Sequence, residues 1–412
     1  MIKREKIELV KGSDIYAGID VSSDIHRVRF IDNLGQEVIK GISFSNDREG
    51  FRELEEHIKK FGIDHNIIFG LEPTGDYWKP IGYYLRRKGY KVVLVNPYHI
   101  KRTKEIIDNS QQKDDRKDSY LIADLVKQGK YFFPIIPEGI YGEMRELSIS
   151  WKRTKQQITR LKCYLSNFLA KYFPEYKSIF SDILGKSSFY ILSHYPLPED
   201  IKRIGKKRLT RIIKRISKGK IREEKIDRLY ERARDTVGIK EGREAARMFL
   251  KEVLKELERL MGRRKKIKEK MKELLKISGY GDYLLSIKGV GVVNACLFLG
   301  DIGDPRRYKR ASQIEKLAGY NLVEESSGKK KGEKQISKRG RKTLRYVGYL
   351  VANVAIAKNK EIRELYRYKV DVLKRNRIKV MVGIAAKMLR IMFAVCKNKE
   401  YYNSEKVRAN FI

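Results

Sequence analysis

The spacing of apolar residues predicts two kinds of structure along this chain of 412 residues. In the first third, short apolar runs and apolar–polar alternation predict β-strands, and apolar residues three or four apart predict helices between them. The predicted strands cover residues 16–21, 26–32, 37–44, 66–72 and 91–97. From residue 141 onwards the spacing is mostly that of helices. We therefore expect an α/β domain followed by a mostly helical remainder.

The predicted elements of residues 1–135 follow the order three strands, helix, strand, helix, strand and helices. This is the order of an RNase H-like domain, in which the first and fourth strands are neighbours and the last helix packs across their ends. Asp20 ends the first strand and Glu72 ends the fourth. Asp115 and Asp118 share one face at the start of the last helix. The fold would therefore bring four carboxylates together.

Four converging carboxylates repel one another unless cations neutralise them. Two divalent ions about 3.5–4 Å apart would do so, and they would also bind an attacking and a leaving oxygen. Oxygen ligands suit Mg²⁺ or Mn²⁺, whereas the five histidines lack the spacing of a metal site. Asp20 alone would more simply be a turn residue, and Asp115 and Asp118 could equally well cap the helix, whereas the apolar run before Glu72 predicts a half-buried position for it. Their order within one fold favours the metal site.

Residues 136–277 are predicted to form a helical arm. A helix is expected over about 141–172, and a strongly basic insertion with small helices follows it. From Ala246 to Leu274 apolar residues recur at mostly alternating intervals of four and three, interrupted at Arg264, which is typical of a coiled coil. This last helix could pair with the 141–172 helix, with another copy of the chain, or with both.

Residues 278–412 are predicted to be a mostly helical domain whose core is formed by the apolar helices 343–358 and 380–397. At its start, residues 283–295 follow the helix-hairpin-helix pattern. Lys288, Gly289 and Gly291 would there bind a phosphate, the glycines allowing backbone N–H groups to approach it at a helix N-terminus. A turn that merely joins two helices is the alternative.

Residues 323–345 combine many basic residues with glycines and two adjacent serines, Ser326 and Ser327. A hydroxyl beside so much positive charge suits a nucleophile that attacks phosphate. The same composition suits a loop that only binds phosphate, and the composition alone favours that simpler reading. The candidate phosphate contacts of this segment are Lys329, Lys330, Lys338, Arg339 and Arg341.

The balance of charge indicates the class of partner. The 92 lysines and arginines exceed the 52 aspartates and glutamates, which gives a formal net charge of +40. A protein of this charge repels itself unless it binds a polyanion, so nucleic acid is the expected partner. The longest apolar run is too short to span a bilayer, and we expect no signal peptide. Three widely separated cysteines fit a reducing compartment, so we expect a cytoplasmic protein with no membrane partner.

Seven short motifs occur in order along the chain, and together they resemble those of a known family. They are Tyr16-Ala-Gly-Ile-Asp20, Glu72-Pro-Thr-Gly, Asp115-Arg-Lys-Asp118, Gly289-Val-Gly, Leu317-Ala-Gly, Ser326-Ser-Gly and Ile336-Ser-Lys-Arg-Gly340. The family is that of the DEDD insertion-sequence transposases (the insertion sequence 110 family, including the 116/902 type). The resemblance implies a RuvC-like N-terminal domain, a coiled coil and a C-terminal transposase domain that carries a nucleophilic serine.

The resemblance implies Ser326 as the nucleophile, with Ser327 as the next candidate. One departure is the pair Glu324-Glu325, where many relatives have a proline and a basic or polar residue. The residues that would bind Mg²⁺ or Mn²⁺ are Asp20, Glu72, Asp115 and Asp118.

Members of this family resemble recombinases guided by a structured bridge RNA that pairs with donor and target DNA. The implied partners are DNA, such an RNA and further copies of the chain in a dimer or tetramer. Two alternatives remain open on the residues alone. One is a metal-dependent nuclease or resolvase that uses water, and the other is a non-catalytic scaffold that binds nucleic acid.

Overall fold

The computed structural model describes residues 2–60, 62, 66–107, 115–134, 137–324 and 334–409, with the backbone alone at 2–5, 107, 115–117 and 407–409. The chain divides into two compact units, Met1–Ile135 and Ile136–Ile412, called unit 1 and unit 2. Among the helices of the described ranges, none is both long enough and apolar enough to cross a membrane.

Unit 1 is a mixed sheet with helices on both faces. Its strands are β1 (Ile15–Asp20), β2 (Ile25–Ile31), β3 (Glu37–Ser45), β4 (Ile67–Leu71), β5 (Lys91–Val95) and β6 (Tyr131–Phe132). Its helices are α1 (Ile2–Lys11), α2 (Arg48–Lys60), α3 (Trp78–Arg87), α4 (Pro97–Ile107) and α5 (Asp115–Lys127). The predicted α/β class of this region is confirmed.

The strands of unit 1 lie in the order β3-β2-β1-β4-β5-β6. The first three strands form an antiparallel meander, whereas β1, β4 and β5 are parallel to one another. The five predicted strands are present, but the strand predicted over 91–97 ends at Val95. Pro97 opens α4 instead, because proline fits the first position of a helix, where no backbone N–H is needed. The helix α1 and the short edge strand β6 were not predicted.

Alternation along the strands gives each face of the sheet its own core. Helices α2 and α3 bury one face, through residues such as Leu54 and Leu85 against Ile19 and Phe69. Helix α5 buries the other face, with help from α1 and α4. The positions of β1 and β4 that face α5 are therefore 16, 18 and 20 and 68 and 70, and position 72, directly after β4, continues this alternation.

Two glycines on the α5 face let the helix lie against the sheet backbone. Gly18 of β1 and Gly70 of β4 are direct partners in the parallel register. A Cβ atom at Gly18 would overlap the carbonyl oxygen of Ser119 and the amide nitrogen of Ala123, both in the backbone of α5. A Cβ atom at Gly70 would overlap a methyl group of Val126. The absence of two side chains thus sets how closely α5 approaches β1 and β4.

Unit 2 is mostly helical, as predicted. Its helices are α6 (Ile140–Tyr172), α7 (Tyr176–Ile179), α8 (Lys186–His194), α9 (Pro198–Ile204), α10 (Lys206–Ser217), α11 (Glu223–Arg234), α12 (Arg243–Ile277), α13 (Gly281–Leu285), α14 (Val292–Ile302), α15 (Ala311–Ala318), α16 (Lys342–Lys358), α17 (Lys360–Arg367), α18 (Arg377–Asn398) and α19 (Ser404–Ala409). Two short strands, β7 (Leu322–Val323) and β8 (Gln335–Ile336), pair with each other.

The long helices α6 and α12 pack together within the chain. The apolar repeat of α12 is buried against α6 and the small helices α7–α11 at one end, through residues such as Leu250 and Leu257. At the other end the same helix, with Met271, joins the core formed by α14, α16 and α18. Of the alternatives left by the sequence, pairing with the 141–172 helix is therefore observed. Pairing with another copy stays a prediction.

The substitution Gly18→Ala is expected to destabilise unit 1 by about 3 kcal/mol, because the new methyl group meets helix backbone that has no rotamer to change. Hydrogen exchange of the buried amides of β1 and β4 measures this loss. A matched control is Gly262→Ala in α12, where a Cβ atom meets nothing within 4 Å and a gain of about 1 kcal/mol is expected from helix propensity. Unchanged exchange in the Gly18 variant would contradict the close seating of α5.

Candidate active site

The structure brings three of the four predicted acids to one edge of the sheet in unit 1. Asp20 ends β1, and Glu72 directly follows β4, the parallel neighbour of β1. Both positions lie on the α5 face, two residues beyond the glycine pair. Asp118 lies in the first turn of α5, one residue before Ser119, whose carbonyl oxygen approaches Gly18. The close seating of α5 thus places its carboxylate beside the ends of the two strands.

The carboxyl group of Glu72 is half-buried, and neighbouring charges shift its pKa. Burial raises its pKa above the ordinary value of 4.5, and the negative charge of Asp20 raises it further. Asp118 acts more weakly in the same direction. A hydrogen bond with the Thr74 side chain and the positive charge of Lys104 lower the pKa in part. Burial and the neighbouring carboxylates therefore both disfavour the ionised form of Glu72.

Lys104 is the positive group at this cluster that the sequence did not reveal. It lies on α4, which packs against α5, and its ammonium group forms an ion pair with Asp118. Both side chains of the pair are partly buried. No periodicity or motif marks Lys104, because its role arises only from the packing of two helices.

The donor groups of the cluster suit a hard divalent cation. They are all carboxylate oxygens, and their mutual repulsion is what such a cation would relieve. Among the described side chains, however, no three acids, histidines or cysteines stand close enough together to form a metal site as they are placed. The side chain of the fourth predicted acid, Asp115, lies outside the described residues, although its backbone begins α5.

The segment with the two serines lies partly outside the described residues. Ser326, Ser327, Lys329 and Lys330 all fall in the range 325–333. Both ends of this range are nevertheless described, since β7 and β8 pair in the antiparallel register Leu322↔Ile336. Glu324 lies 3.7 Å from Lys334 across the two ends, in an exposed ion pair. The residues that precede and follow this segment therefore lie side by side, paired in β7 and β8.

The basic residues after β8 divide into two groups. Lys338 and Arg339 are exposed, and Lys338 has a left-handed backbone with φ +54°. Gly340 then packs against backbone, where a Cβ atom would lie 2.5 Å from the amide nitrogen of Gly319 and from the carbonyl oxygen of Leu317. This contact fastens the segment to the end of α15.

Arg341 departs from its expected role as a phosphate contact. Its guanidinium donates to the carbonyl oxygen of Asp301 and lies 3.9 Å from the carboxylate of the same residue. Asp301 is buried at the end of α14 and also pairs with Arg145 at 3.0 Å. Burial raises the pKa of Asp301, and the two guanidinium groups oppose this rise. The guanidinium of Arg341 is therefore directed into the domain, where its positive charge stabilises the buried carboxylate of Asp301.

The predicted hairpin is formed by α13, a turn and α14. Gly289 has φ +112°, and a Cβ atom there would lie 3.2 Å from the amide nitrogen of Ala355 in α16. The turn therefore packs against α16 at Gly289. Lys288 and Gly291 are exposed, and Gly291 precedes the first turn of α14. Phosphate binding by this hairpin stays a prediction.

Comparison with known proteins identifies the family. A transposase family matches residues 17–174, and the "Transposase IS116/IS110/IS902 family" matches residues 281–367. The chain belongs to this family of transposases. Transposases cut and rejoin DNA, so DNA is the substrate of this enzyme. The first match contains Asp20, Glu72 and Asp118, and the second contains the serine segment.

Two relatives illustrate how far the similarity extends. An uncharacterized 44.8 kDa protein of insertion element IS116 from Streptomyces clavuligerus is 23% identical over 295 residues, which cover 70% of this transposase and 72% of the relative. An uncharacterized 43.6 kDa protein of insertion element IS110 from Streptomyces coelicolor is 19% identical over 399 residues, which cover 95% and 96% of the two chains. The similarity to the second relative therefore spans both units.

The substitution Glu72→Gln is expected to raise the melting temperature of the metal-free transposase at pH 7. A raised pKa means that the ionised carboxylate is less favourable in the fold than in the unfolded chain, and a neutral amide removes this cost. The gain should vanish as the pH falls below the ordinary value of 4.5, where the carboxyl group is neutral in both states. Calorimetry in EDTA measures the effect.

The matched control is Glu53→Gln on the exposed side of α2, which removes the same charge far from the cluster and should leave the melting temperature unchanged. Excess Mg²⁺ should stabilise the wild type and the control but not the Glu72 variant. A lower melting temperature of the Glu72 variant in EDTA would contradict the repulsion described for this cluster.

Proposed function

We propose that this transposase cuts and rejoins DNA through a covalent serine intermediate, with Ser326 as the nucleophile and divalent metal held by the acids of unit 1. The observation that best supports the proposal is that Asp20, Glu72 and Asp118 lie together where β1 and β4 end and α5 begins. The raised pKa of Glu72 shows that its ionised form is costly to maintain, and carboxyl groups perturbed in this way are typical of functional sites.

The proposed fold of unit 1 is RNase H-like, of the RuvC-like type. Three features support it: the antiparallel meander β1–β3, the parallel pairing of β1 with β4 and β5, and a last helix that crosses β1 and β4. In this fold the acids at the strand ends share one edge of the sheet. The sequence-based expectation of an acidic site at that edge then follows from the topology.

The proposed metal is Mg²⁺ or Mn²⁺. Its ligands would be drawn from Asp20, Glu72, Asp115 and Asp118. When bound, such an ion makes a hydroxyl a better nucleophile and stabilises the charge that develops on phosphate. Lys104 is expected to hold Asp118 in position and to offset part of the repulsion within the cluster.

In the proposed step the Oγ atom of Ser326 attacks a phosphodiester of DNA. A bond forms between Oγ and phosphorus, and the bond between phosphorus and the 3′ oxygen breaks. The proton lost by the serine hydroxyl is balanced by the proton gained by the released 3′ oxygen. The product is a 5′-phosphoserine, which retains the energy of the broken bond, so that a second strand can be joined by the reverse reaction.

The exposed basic groups of unit 2 are the proposed contacts to the phosphates of the DNA backbone. Lys338 and Arg339 follow the serine segment, and their side chains reach solvent. Lys329 and Lys330 would add to these contacts within the segment itself. In the hairpin, Lys288 and the backbone at Gly291 would bind a second phosphate. All of these contacts would position the strand without reading its sequence.

The remaining parts of the proposal concern partners. The net charge of +40 exceeds what contacts with one DNA site would use, and it supports a second polyanion such as a structured guide RNA. A dimer or tetramer is proposed from the family resemblance, with α12 as a candidate for pairing between copies.

The substitution Ser326→Ala is expected to abolish covalent protein–DNA adducts, because a methyl group cannot form the phosphoester. The measurement is electrophoresis under denaturing conditions with labelled DNA and Mg²⁺. Ser327→Ala is the matched control and should retain adducts. If adducts persist in the first variant and vanish in the second, the nucleophile is Ser327. Cleavage that leaves free 5′-phosphate ends without any adduct would favour the nuclease that uses water.

The substitution Asp20→Asn is expected to lower strand cleavage by at least about a hundredfold, since it removes a carboxylate from the metal site. Asp24→Asn is the control, because Asp24 lies four residues further on in an exposed turn. Cleavage is measured with DNA over a range of Mg²⁺ concentrations. Retained cleavage in the Asp20 variant would exclude the cluster as the metal site.

A further inference from the structure

Most of one helix of unit 2 and the whole of a neighbouring helix carry basic residues without acids. From Leu147 to the end of α6 the sequence contains no aspartate or glutamate, and neither does any position of α16. Solvated helices usually mix both signs, as α12 does with its many glutamates. The basic residues on this part of α6 are Lys152, Arg153, Lys155, Arg160, Lys162 and Lys171.

A groove of about 530 Å³ lies between these two helices. It is lined on α6 by Lys152, Lys155, Gln156, Thr159 and Arg160 and on α16 by Tyr346. These α6 positions recur at helical spacing and form one stripe along the helix. The groove therefore combines one stripe of cations and amide or hydroxyl groups with one aromatic ring.

The contacts across the groove hold the ring among the cations. Lys155 donates to the hydroxyl of Tyr346 at 2.7 Å, and its ammonium group lies 5.3 Å from the ring centroid. Lys152 donates to the hydroxyl of Thr343, one turn earlier on α16, at 2.5 Å. Among the described residues, no carboxylate forms an ion pair with Lys155 or Arg160. These charges lack the counter-ions that a merely structural surface would provide.

We propose that this groove binds a single strand of the DNA substrate, with Tyr346 as the platform for one base and with Lys155 and Arg160 as contacts for its phosphates. Aromatic rings beside cations are the common means of binding a strand whose bases are unpaired. A paired duplex hides its base faces, so it could use the cations but not the ring. The volume of the groove is that of a site for a compact ligand, which suits a nucleotide better than a protein helix.

The position of the groove links it to the proposed chemistry. Helix α16 begins directly after Lys338, Arg339 and the inward-facing Arg341, and Tyr346 lies in its second turn. A strand held at Lys338 and Arg339 could therefore continue along the groove. The inference rests on the proposed function for the identity of the strand, but strand binding itself needs neither metal nor serine.

The test measures binding of a fluorescent single-stranded DNA oligonucleotide to the full chain in EDTA, where no cleavage occurs. Tyr346→Ala should weaken binding about tenfold, and Tyr346→Phe, which keeps the ring, should bind within about twofold of wild type. Tyr349→Ala is the control on the same helix, since Tyr349 is exposed outside the groove and should have no effect. Melting temperatures check that each variant is folded.

Arg160→Ala should reduce the slope of log affinity against log salt by about 0.7, the value for one phosphate contact on a single strand. Arg153→Ala, which removes an exposed arginine of α6 outside the groove, should leave the slope unchanged. With 5-iodouracil in the DNA, photocrosslinking should yield a peptide that contains Tyr346.

Equal affinity of the wild type and Tyr346→Ala would overturn the proposal, and so would crosslinks confined to other peptides. A tenfold loss for single-stranded RNA or duplex DNA, with none for single-stranded DNA, would also overturn it. Adduct formation by Ser326 is scored separately. Loss of adducts with intact binding in the groove would reject only the serine mechanism, whereas adducts without groove binding would reject only the groove.

Discussion

The candidate active site depends on the close approach of α5 to two strands that carry glycine. Gly18 and Gly70 lie side by side, and the backbone of α5 packs against Gly18 while the Val126 side chain packs against Gly70. Since side chains alternate along a strand, the positions two residues further on point to the same face. These positions are Asp20 and Glu72, and the first turn of the seated helix supplies Asp118. Repulsion among the carboxylates, the raised pKa of Glu72 and the ion pair of Lys104 all follow from this packing.

Charge is arranged differently in the two units. In unit 1 acids converge on one edge of the sheet, which suits a bound cation. In unit 2 the part of α6 from Leu147 onwards and the whole of α16 lack acids, which suits a polyanion. The buried Asp301 of α14 binds Arg341 and Arg145 inside the domain. One aspartate thus fastens the end of the serine segment, while the cations left without counter-ions remain available to nucleic acid.

Much of this could be predicted from local patterns, and the rest could not. Strands and helices follow from periodicity, and Asp20 and Glu72 follow because parallel neighbouring strands end at the same edge. The pairing partner of α12 could not be chosen, since its repeat fits a helix of either the same or another chain. Lys104 and Arg341 owe their roles to contacts between distant elements, which no spacing encodes. The strand β6 has only two residues, too few for any period to be visible.

Anomalous diffraction from crystals grown with Mn²⁺ tests most directly whether the packing of α5 on the sheet builds a metal site. We expect a manganese peak among the carboxylates of Asp20, Glu72 and Asp118, and no peak there in crystals of the Glu72→Gln variant. The wild-type peak should persist when the DNA is absent, because the ligands come from the fold alone. A manganese peak elsewhere in the molecule, with none at the ends of β1 and β4, would contradict this account.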